Sequence, residues 1–101
     1  MLENVNVTKK ANIYFDGKCV SHTMTAKDGR RMSVGVIFPS SLTFNTGAPE
    51  VMEIVAGHCK VKLEGEAAWT NYSAGQRFGV GPNSKFDIET QDVLEYVCHF
   101  G

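Results

Sequence analysis

The segments Glu50-Val-Met-Glu-Ile-Val-Ala-Gly57 and Gly75-Gln-Arg-Phe-Gly-Val-Gly-Pro82 decide how this chain folds. The first has a carboxylate seven residues before a glycine, and the second begins eighteen residues after that glycine. Alternation places Glu50, Met52 and Ile54 on one face, as in a strand that is buried on one side. The pair therefore predicts a strand ending in a glycine turn, followed by a glycine–proline segment that leads into another strand.

The rest of the chain also reads as short strands. Apolar residues alternate with polar ones in 60–63, 84–90 and 94–100, which is the period of a half-buried strand. Asp28-Gly29 and Glu64-Gly65-Glu66 lie between such runs and predict hairpin turns. No longer segment has a helical period. About eight or nine short strands at this spacing predict an all-β sandwich or small barrel.

Length and composition predict a single globular domain. The chain has 101 residues, of which 43% are hydrophobic and 21% charged, enough for one core. We expect a polar N-terminal lead-in over residues 1–11 and the folded domain over residues 12–101. The net charge of −1 provides no general attraction to nucleic acid or to an anionic membrane. An anion site, if present, must therefore be local.

The location and the redox state are predicted from what the chain lacks. The first ten residues are polar, without the apolar region of a signal peptide, and no run approaches the roughly 20 apolar residues of a membrane span. The three cysteines are odd in number and lack a CxxC spacing. Together these features predict a reduced, cytoplasmic protein. Cys59 and Cys98 fall on apolar strand faces, where a free thiol packs as a small hydrophobe rather than acting as a nucleophile.

The two opening segments resemble the two motifs of the cupins, which form jelly-roll barrels. This resemblance implies a single-domain, cupin-like jelly-roll barrel. Cupins place metal-binding histidines where this chain has Phe44, Thr46 and Phe86. A metal site needs about three converging ligands, and the histidines are instead predicted to be solvated: His22, His58 and His99. We expect no metal.

The cavity of a barrel without metal ligands must serve another purpose, and Glu50 is the residue to explain. Its predicted position beside Met52 and Ile54 is costly for a carboxylate without a partner. Arg31 and Ser33 share a face on another strand. Glu50 therefore either forms a structural ion pair with Arg31 or provides a polar floor for a ligand cavity.

Aromatic residues are the second candidates for ligand contact. They make up 10% of the chain, and most must fill the core of so small a barrel. A few at an open end could stack on a planar ligand. Phe86 and Tyr96 have the inward parity for this role, with core packing as the alternative.

Several short motifs together resemble the small cupin-like pyrimidine/purine nucleoside phosphorylases, formerly grouped as a domain of unknown function. The resemblance runs from about residue 13 to the C-terminus. One departure is Gly81, where the family pattern has proline. The motifs are Tyr14-Phe15-Asp-Gly17-Lys18, Arg31-Met-Ser33-Val34-Gly35-Val36, Phe44-Asn-Thr46, Pro49-Glu50-Val-Met52, Trp69, Gly75 with Phe78, and Tyr96-Val-Cys98.

This resemblance implies an enzyme, a pentosyltransferase that cleaves nucleosides with phosphate. The products are the free base and α-D-ribose 1-phosphate, with broad tolerance for purine and pyrimidine bases. It further implies a homodimer that uses inorganic phosphate as co-substrate and needs no other cofactor. The alternative is a non-catalytic cupin that binds a sugar or nucleotide, and a metal-dependent cupin enzyme is a more distant third.

Residue types suggest how the reaction is divided among the candidates. Arg31 with Ser33 offers guanidinium and hydroxyl donors for phosphate. Glu50 can accept hydrogen bonds from the ribose hydroxyls and stabilise positive charge at C1′. Broad tolerance for the base is expected if the base is held by stacking on aromatic rings, because every base has a flat face. Base binding is therefore assigned to three aromatic residues: Phe78, Phe86 and Tyr96.

Overall fold

The computed structural model describes residues 1–101 and consists almost entirely of β-strands. No helix in it is long and apolar enough to cross a membrane. One short 3₁₀ turn lies at Phe15–Gly17. The strands are β1 (Val5–Val7), β2 (Asn12–Tyr14), β3 (Cys19–Ala26), β4 (Arg31–Ile37), β5 (Ser40–Asn45), β6 (Glu50–Ala56), β7 (His58–Leu63), β8 (Thr70–Ser73), β9 (Arg77–Val80), β10 (Lys85–Thr90) and β11 (Leu94–Phe100).

The strands form two antiparallel sheets that enclose one core. The larger sheet has the order β1-β3-β4-β11-β6-β9, with β2 also paired to β3, and the smaller has the order β5-β10-β7-β8. Consecutive strands often lie in different sheets, which is the connectivity of a jelly roll. The predicted all-β, single-domain, cupin-like jelly-roll barrel is therefore confirmed.

The core lies between the sheets, and one end of the barrel is fully closed. Across β3, β4 and β11, Cys19, Ile37 and Leu94 form a row of neighbours, and none is more than 1% exposed. Two residues further along each strand the next row begins, and the side chains become more polar. Cys59 and Cys98 are buried free thiols, as predicted.

The glycine that ends the first opening segment is required by both backbone and packing. Gly57 joins β6 to β7 with a φ of +87°, and an added Cβ would lie 2.8 Å from the Val93 carbonyl oxygen. Few side chains tolerate that φ. The glycine turn predicted after Glu50 is thus the point where the chain leaves one sheet for the other.

Two details depart from the sequence-based expectation. There are eleven strands rather than eight or nine, because three- and four-residue strands such as β1, β2 and β8 are too short to show alternation. The polar lead-in over residues 1–11 is mostly exposed but contains a strand that belongs to the larger sheet, since Val5–Val7 pair with Met24–Ala26. Pairing with an edge strand needs only backbone groups, which a polar composition does not reveal. Val5 also packs on Met24 and Met32 on the outer face of the larger sheet.

Candidate active site

A cavity of about 190 Å³ lies between the two sheets beyond the closed end of the barrel. Its lining combines apolar side chains with hydroxyls, a thiol, an amide and one carboxylate. The lining residues are Tyr14, Ser21, Ser33, Phe44, Asn45, Glu50, Met52, Phe86, Tyr96, Cys98 and Phe100. An apolar cleft with a few convergent polar groups is the usual form of a small-molecule site.

The strand register explains why the polar groups converge. Cys98 of β11 lies between Ser33 of β4 and Met52 of β6. One step nearer the closed end, Tyr96 is the neighbour of Gly35, which in turn pairs with Ser21 of β3. Side chains two residues apart on a strand point to the same side. Strands β3, β4, β6 and β11 therefore all direct their inner-face residues into one space.

Glu50 is the only ionisable carboxylate in the cavity lining. It lies at the start of β6, directly opposite Phe100 of β11, and is half-buried. Burial raises the pKa of the Glu50 carboxyl above its ordinary value, and the neighbouring Cys98 thiol partly offsets this shift. Glu50 forms no salt bridge, so the expected alternative of a structural ion pair with Arg31 is wrong. The carboxylate instead faces the cavity.

Cys98 and Tyr96 remain protonated and can donate hydrogen bonds. Burial and the charge of Glu50 raise the pKa of the Cys98 thiol to about 12, which excludes a thiolate nucleophile near neutral pH. Burial and contact with Cys19 raise the pKa of the Tyr96 hydroxyl well above its ordinary value. The Tyr96 oxygen lies 3.4 Å from the Cys19 sulfur.

Gly35 makes room for the Tyr96 hydroxyl. A Cβ at position 35 would lie 2.9 Å from that hydroxyl and 2.6 Å from the Val20 carbonyl oxygen. The glycine that interrupts the β-branched run of β4 is therefore explained by close packing against the cavity wall.

A hydrogen-bonded polar wall continues behind Ser21. The Asn12 amide donates to the Thr23 hydroxyl at 3.0 Å and to the Ser21 hydroxyl at 3.5 Å. No sequence pattern indicated this wall, because Ser and Thr are common on both faces of strands. Cys98 and Phe100, by contrast, could have been added from the alternation that identified Tyr96.

The smaller sheet contributes an aromatic wall. Phe44 and Phe86 are stacked with ring centroids 5.5 Å apart, and Phe78 contacts Phe86 edge-on at 5.7 Å. Phe86 lines the cavity as expected, whereas Phe78 lies behind it, packed on Tyr72. Phe78 therefore lies outside the cavity lining, against the sequence-based expectation that it contacts a base.

Arg31 lies near the cavity but not in its lining. It begins β4, is exposed and forms no salt bridge. Position 31 is one residue beyond the last pair of β4 with β11, so Phe100 separates it from Glu50. With strands about 4.8 Å apart, the Arg31 and Glu50 backbones are about 10 Å from each other. The guanidinium is thus available at the rim.

Of the three residues at the expected positions of cupin metal ligands, Phe44 and Phe86 line the cavity and Thr46 has a structural role. The Thr46 hydroxyl donates to the Gly81 carbonyl oxygen at 2.7 Å and accepts from the Ser84 amide at 3.0 Å, which fastens the end of β5 to the glycine–proline turn. No group of three or more His, Cys, Asp or Glu side chains could hold a metal ion.

The histidines lie away from the cavity, and two are less solvated than predicted. His58 is exposed, whereas the other two are half-buried. A ring nitrogen of His22 is 3.0 Å from the Thr8 carbonyl oxygen, and one of His99 is 3.0 Å from the Glu53 carboxylate. Glu53 lies on the outer face of β6, where Arg77 is 3.6 Å away.

Comparison with known proteins identifies the family. The family model described as pyrimidine/purine nucleoside phosphorylase matches residues 9–100. The chain belongs to this family. A pyrimidine/purine nucleoside phosphorylase of Cupriavidus pinatubonensis is 66% identical over 98% of this chain and 94% of its own length. The protein of the same name from Thiobacillus denitrificans is 65% identical, with 98% and 96% covered. The predicted family is confirmed.

Solved structures agree on the fold. A crystal structure of a protein of unknown function from Acinetobacter sp. ADP1 superimposes with a TM-score of 0.98 at 47% identity, covering 100% of this chain and 98% of its own. An RmlC-like cupin from Methanocaldococcus jannaschii, with a double-stranded β-helix fold, gives a TM-score of 0.68 at 19% identity. It covers 93% of this chain and 90% of its own, and supports the fold alone.

Proposed function

We propose that this protein is a nucleoside phosphorylase, a pentosyltransferase that converts purine and pyrimidine nucleosides and phosphate into free base and α-D-ribose 1-phosphate. The observation that carries the proposal is the setting of Glu50, a half-buried carboxylate without an ion-pair partner in a cavity lined by hydroxyls and aromatic rings. Membership of the family and close similarity to relatives with that name support an enzyme over a non-catalytic sugar- or nucleotide-binding cupin.

Glu50 is suited to hold the ribosyl group during the transfer. The C1′–N bond breaks as a phosphate oxygen bonds to C1′, so positive charge develops on the sugar and negative charge on the departing base. A fixed carboxylate that accepts hydrogen bonds from ribose hydroxyls stabilises that positive charge, and it does so more strongly where water is excluded. The buried, protonated hydroxyl of Tyr96 and the hydroxyl of Ser21 complete the polar lining around the sugar.

Phosphate binding is assigned to Ser33 and Arg31. The Ser33 hydroxyl lines the cavity one row inward from the rim, and Arg31 is on the same face of β4 at the rim itself. A guanidinium without a protein carboxylate partner can form two parallel hydrogen bonds to a phosphate. Phosphate entering past Arg31 would approach the sugar held by Glu50.

The finer properties of the protein are part of the same proposal. Inorganic phosphate is the co-substrate, and the reaction needs neither a metal nor another cofactor, because charge is handled by Glu50 and Arg31. The protein works in the cytoplasm as a homodimer. Exposed apolar side chains on the outer face of the larger sheet, including Val34 and Val55, support a dimer, and three buried free thiols suit a reducing compartment.

The test is release of free base from uridine and from inosine, with and without phosphate. The proposal predicts release only with phosphate, together with formation of ribose 1-phosphate. Release without phosphate would indicate a hydrolase, and no release from a panel of nucleosides would leave a binding protein. Arg31→Ala and Glu50→Ala, with folding checked by circular dichroism, should each reduce the rate. Near-wild-type turnover in both variants would reject the residue assignment.

A further inference from the structure

The cavity is small for the substrates that the proposed function requires. Sites that enclose a drug-sized ligand have volumes of about 300–1,000 Å³, whereas this cavity has about 190 Å³. A nucleoside and a phosphate together exceed that space. The ribosyl group and the phosphate must both bind next to Glu50 and Ser33. The base must therefore bind outside the space that these two groups occupy.

The aromatic rings of the cavity fall into two classes by exposure. Phe86 and Tyr96 are 2% and 6% exposed, and Phe86 is stacked on Phe44. These rings form the buried wall of the cavity and have almost no surface exposed to solvent. Tyr14 and Phe100 also line the cavity but are 48% and 41% exposed. Their ring faces are therefore accessible at the opening.

The two exposed rings come from different parts of the rim. Phe100 is directly opposite Glu50 on neighbouring strands, so a group projecting outward from a sugar at Glu50 passes beside it. Tyr14 lies in edge strand β2 on the same face as Asn12, beside the polar wall. Both rings line the same cavity, so a base that extends out of it can reach one ring or the other.

The turn after Tyr14 has an unusual backbone conformation. Phe15 and Asp16 have φ angles of +53° and +54°, and a bulky residue in the left-handed region is uncommon and strained. The Phe15 ring contacts Phe44 edge-on, with centroids 5.2 Å apart. The turn is thereby fastened to the opposite sheet, and it holds Tyr14 against the cavity.

The geometry points to a base-binding lip formed by Tyr14 and Phe100, at the exposed edge of the cavity that holds the ribosyl group and phosphate. This inference rests on the proposed phosphorylase function and gives a physical origin for tolerance of both base classes. Stacking on an aromatic face does not distinguish bases, because every base has a π-face. At the lip, the larger purine can extend further into solvent than a pyrimidine does. The size of the base is therefore not limited by an enclosed pocket.

Binding measurements separate the lip from the cavity. Uridine, inosine and ribose 1-phosphate are titrated calorimetrically into the wild type, Tyr14→Leu and Phe100→Leu, with Tyr14→Phe and Phe100→Tyr as ring-preserving variants. Loss of one stacking ring should weaken both nucleosides about tenfold and leave ribose 1-phosphate, which has no base, unchanged. The ring-preserving variants should retain wild-type affinity. Phe38→Leu is the matched control, since Phe38 is also 41% exposed but lies outside the cavity lining.

The outcomes distinguish this inference from the proposed function. Parallel loss of nucleoside and ribose 1-phosphate affinity would overturn the lip, as would unchanged nucleoside affinity in both Leu variants or an equal loss in Phe38→Leu. Failure of the wild type to bind either nucleoside would overturn it too. If nucleosides bind in the predicted pattern but phosphate releases no base, the phosphorylase proposal fails while the base site stands.

Discussion

The two ends of the barrel interior are built from the same strands but differ in what they contain. At the closed end, Cys19, Ile37 and Leu94 form a row without exposed surface or free polar groups. Ser33, four residues from Ile37 on β4, lines an open cavity, and Glu50 lines it from β6, the strand beside β11. The backbone of the strands has the same geometry at both ends. The contrast between a packed end and an open end therefore arises from the types of residue at each end. Truncating side chains at the closed end should therefore reduce stability, and truncating them at the open end should reduce activity.

The closed end should show the largest effect on folding. Leu94→Ala leaves a void in a fully buried site, and such changes cost about 2–5 kcal/mol of unfolding free energy. The adjacent Val93→Ala is the control, since Val93 is 46% exposed and exposed substitutions stay within about 0.5 kcal/mol. Urea denaturation measures both. Equal losses in the two variants would mean that Leu94 is not in a closed core.

At the open end, Glu50→Gln should reduce activity strongly without reducing stability. Removing a group that stabilises transition-state charge typically costs about 100-fold or more in turnover, while amide and carboxylate have nearly the same shape. Phosphorolysis of inosine, measured beside the melting temperature, separates the two effects. A variant that loses stability and activity together would indicate that Glu50 is a structural residue.

Gly35 lies between the two ends and should affect both. Gly35→Ala forces a Cβ against the Val20 carbonyl and the Tyr96 hydroxyl, so we expect a loss of about 1–3 kcal/mol and a rise in KM for the nucleoside. Gly79→Ala is matched to it, because the nearest atom to its added Cβ is 4.0 Å away. Similar denaturation midpoints for the two variants would contradict the close packing at Gly35.

The smallest effect concerns pH and stability. Because burial raises the folded-state pKa of Glu50 above its ordinary 4.5, the folded state binds more protons than the unfolded state between those two values. Stability therefore falls as pH rises through that window, and the cost remains at neutral pH. Glu50→Gln removes the cost, so its melting temperature should exceed that of the wild type at pH 7. The difference should vanish below about pH 4.5, and a difference independent of pH would contradict burial as its cause.

Alternation along long strands made most of this architecture predictable. It placed Glu50, Met52 and Ile54 inward and two cysteines in the core, all as the structure has them. The glycine turn at Gly57 was equally visible, because its φ and its packing allow little else.

The rest of the site depended on pairing between distant strands. Tyr14 reaches the cavity only because β2 pairs with β3 at the edge of the larger sheet, and a strand of three residues leaves no periodic signal. Arg31 has the inward parity of Ser33, yet it lies at the rim, because parity gives the face of a strand but not the depth along the barrel. Phe78 lies outside the cavity lining, where its ring packs edge-on against Phe86.

A crystal structure with ribose 1-phosphate tests most directly whether the open end of the barrel is the binding site. We expect the sugar in the open end of the barrel, with ribose hydroxyls at hydrogen-bond distance, about 2.7 Å, from the Glu50 carboxylate, and the phosphate on the side of Ser33 and Arg31. A sugar bound elsewhere on the protein, with the cavity around Glu50 unchanged, would contradict it.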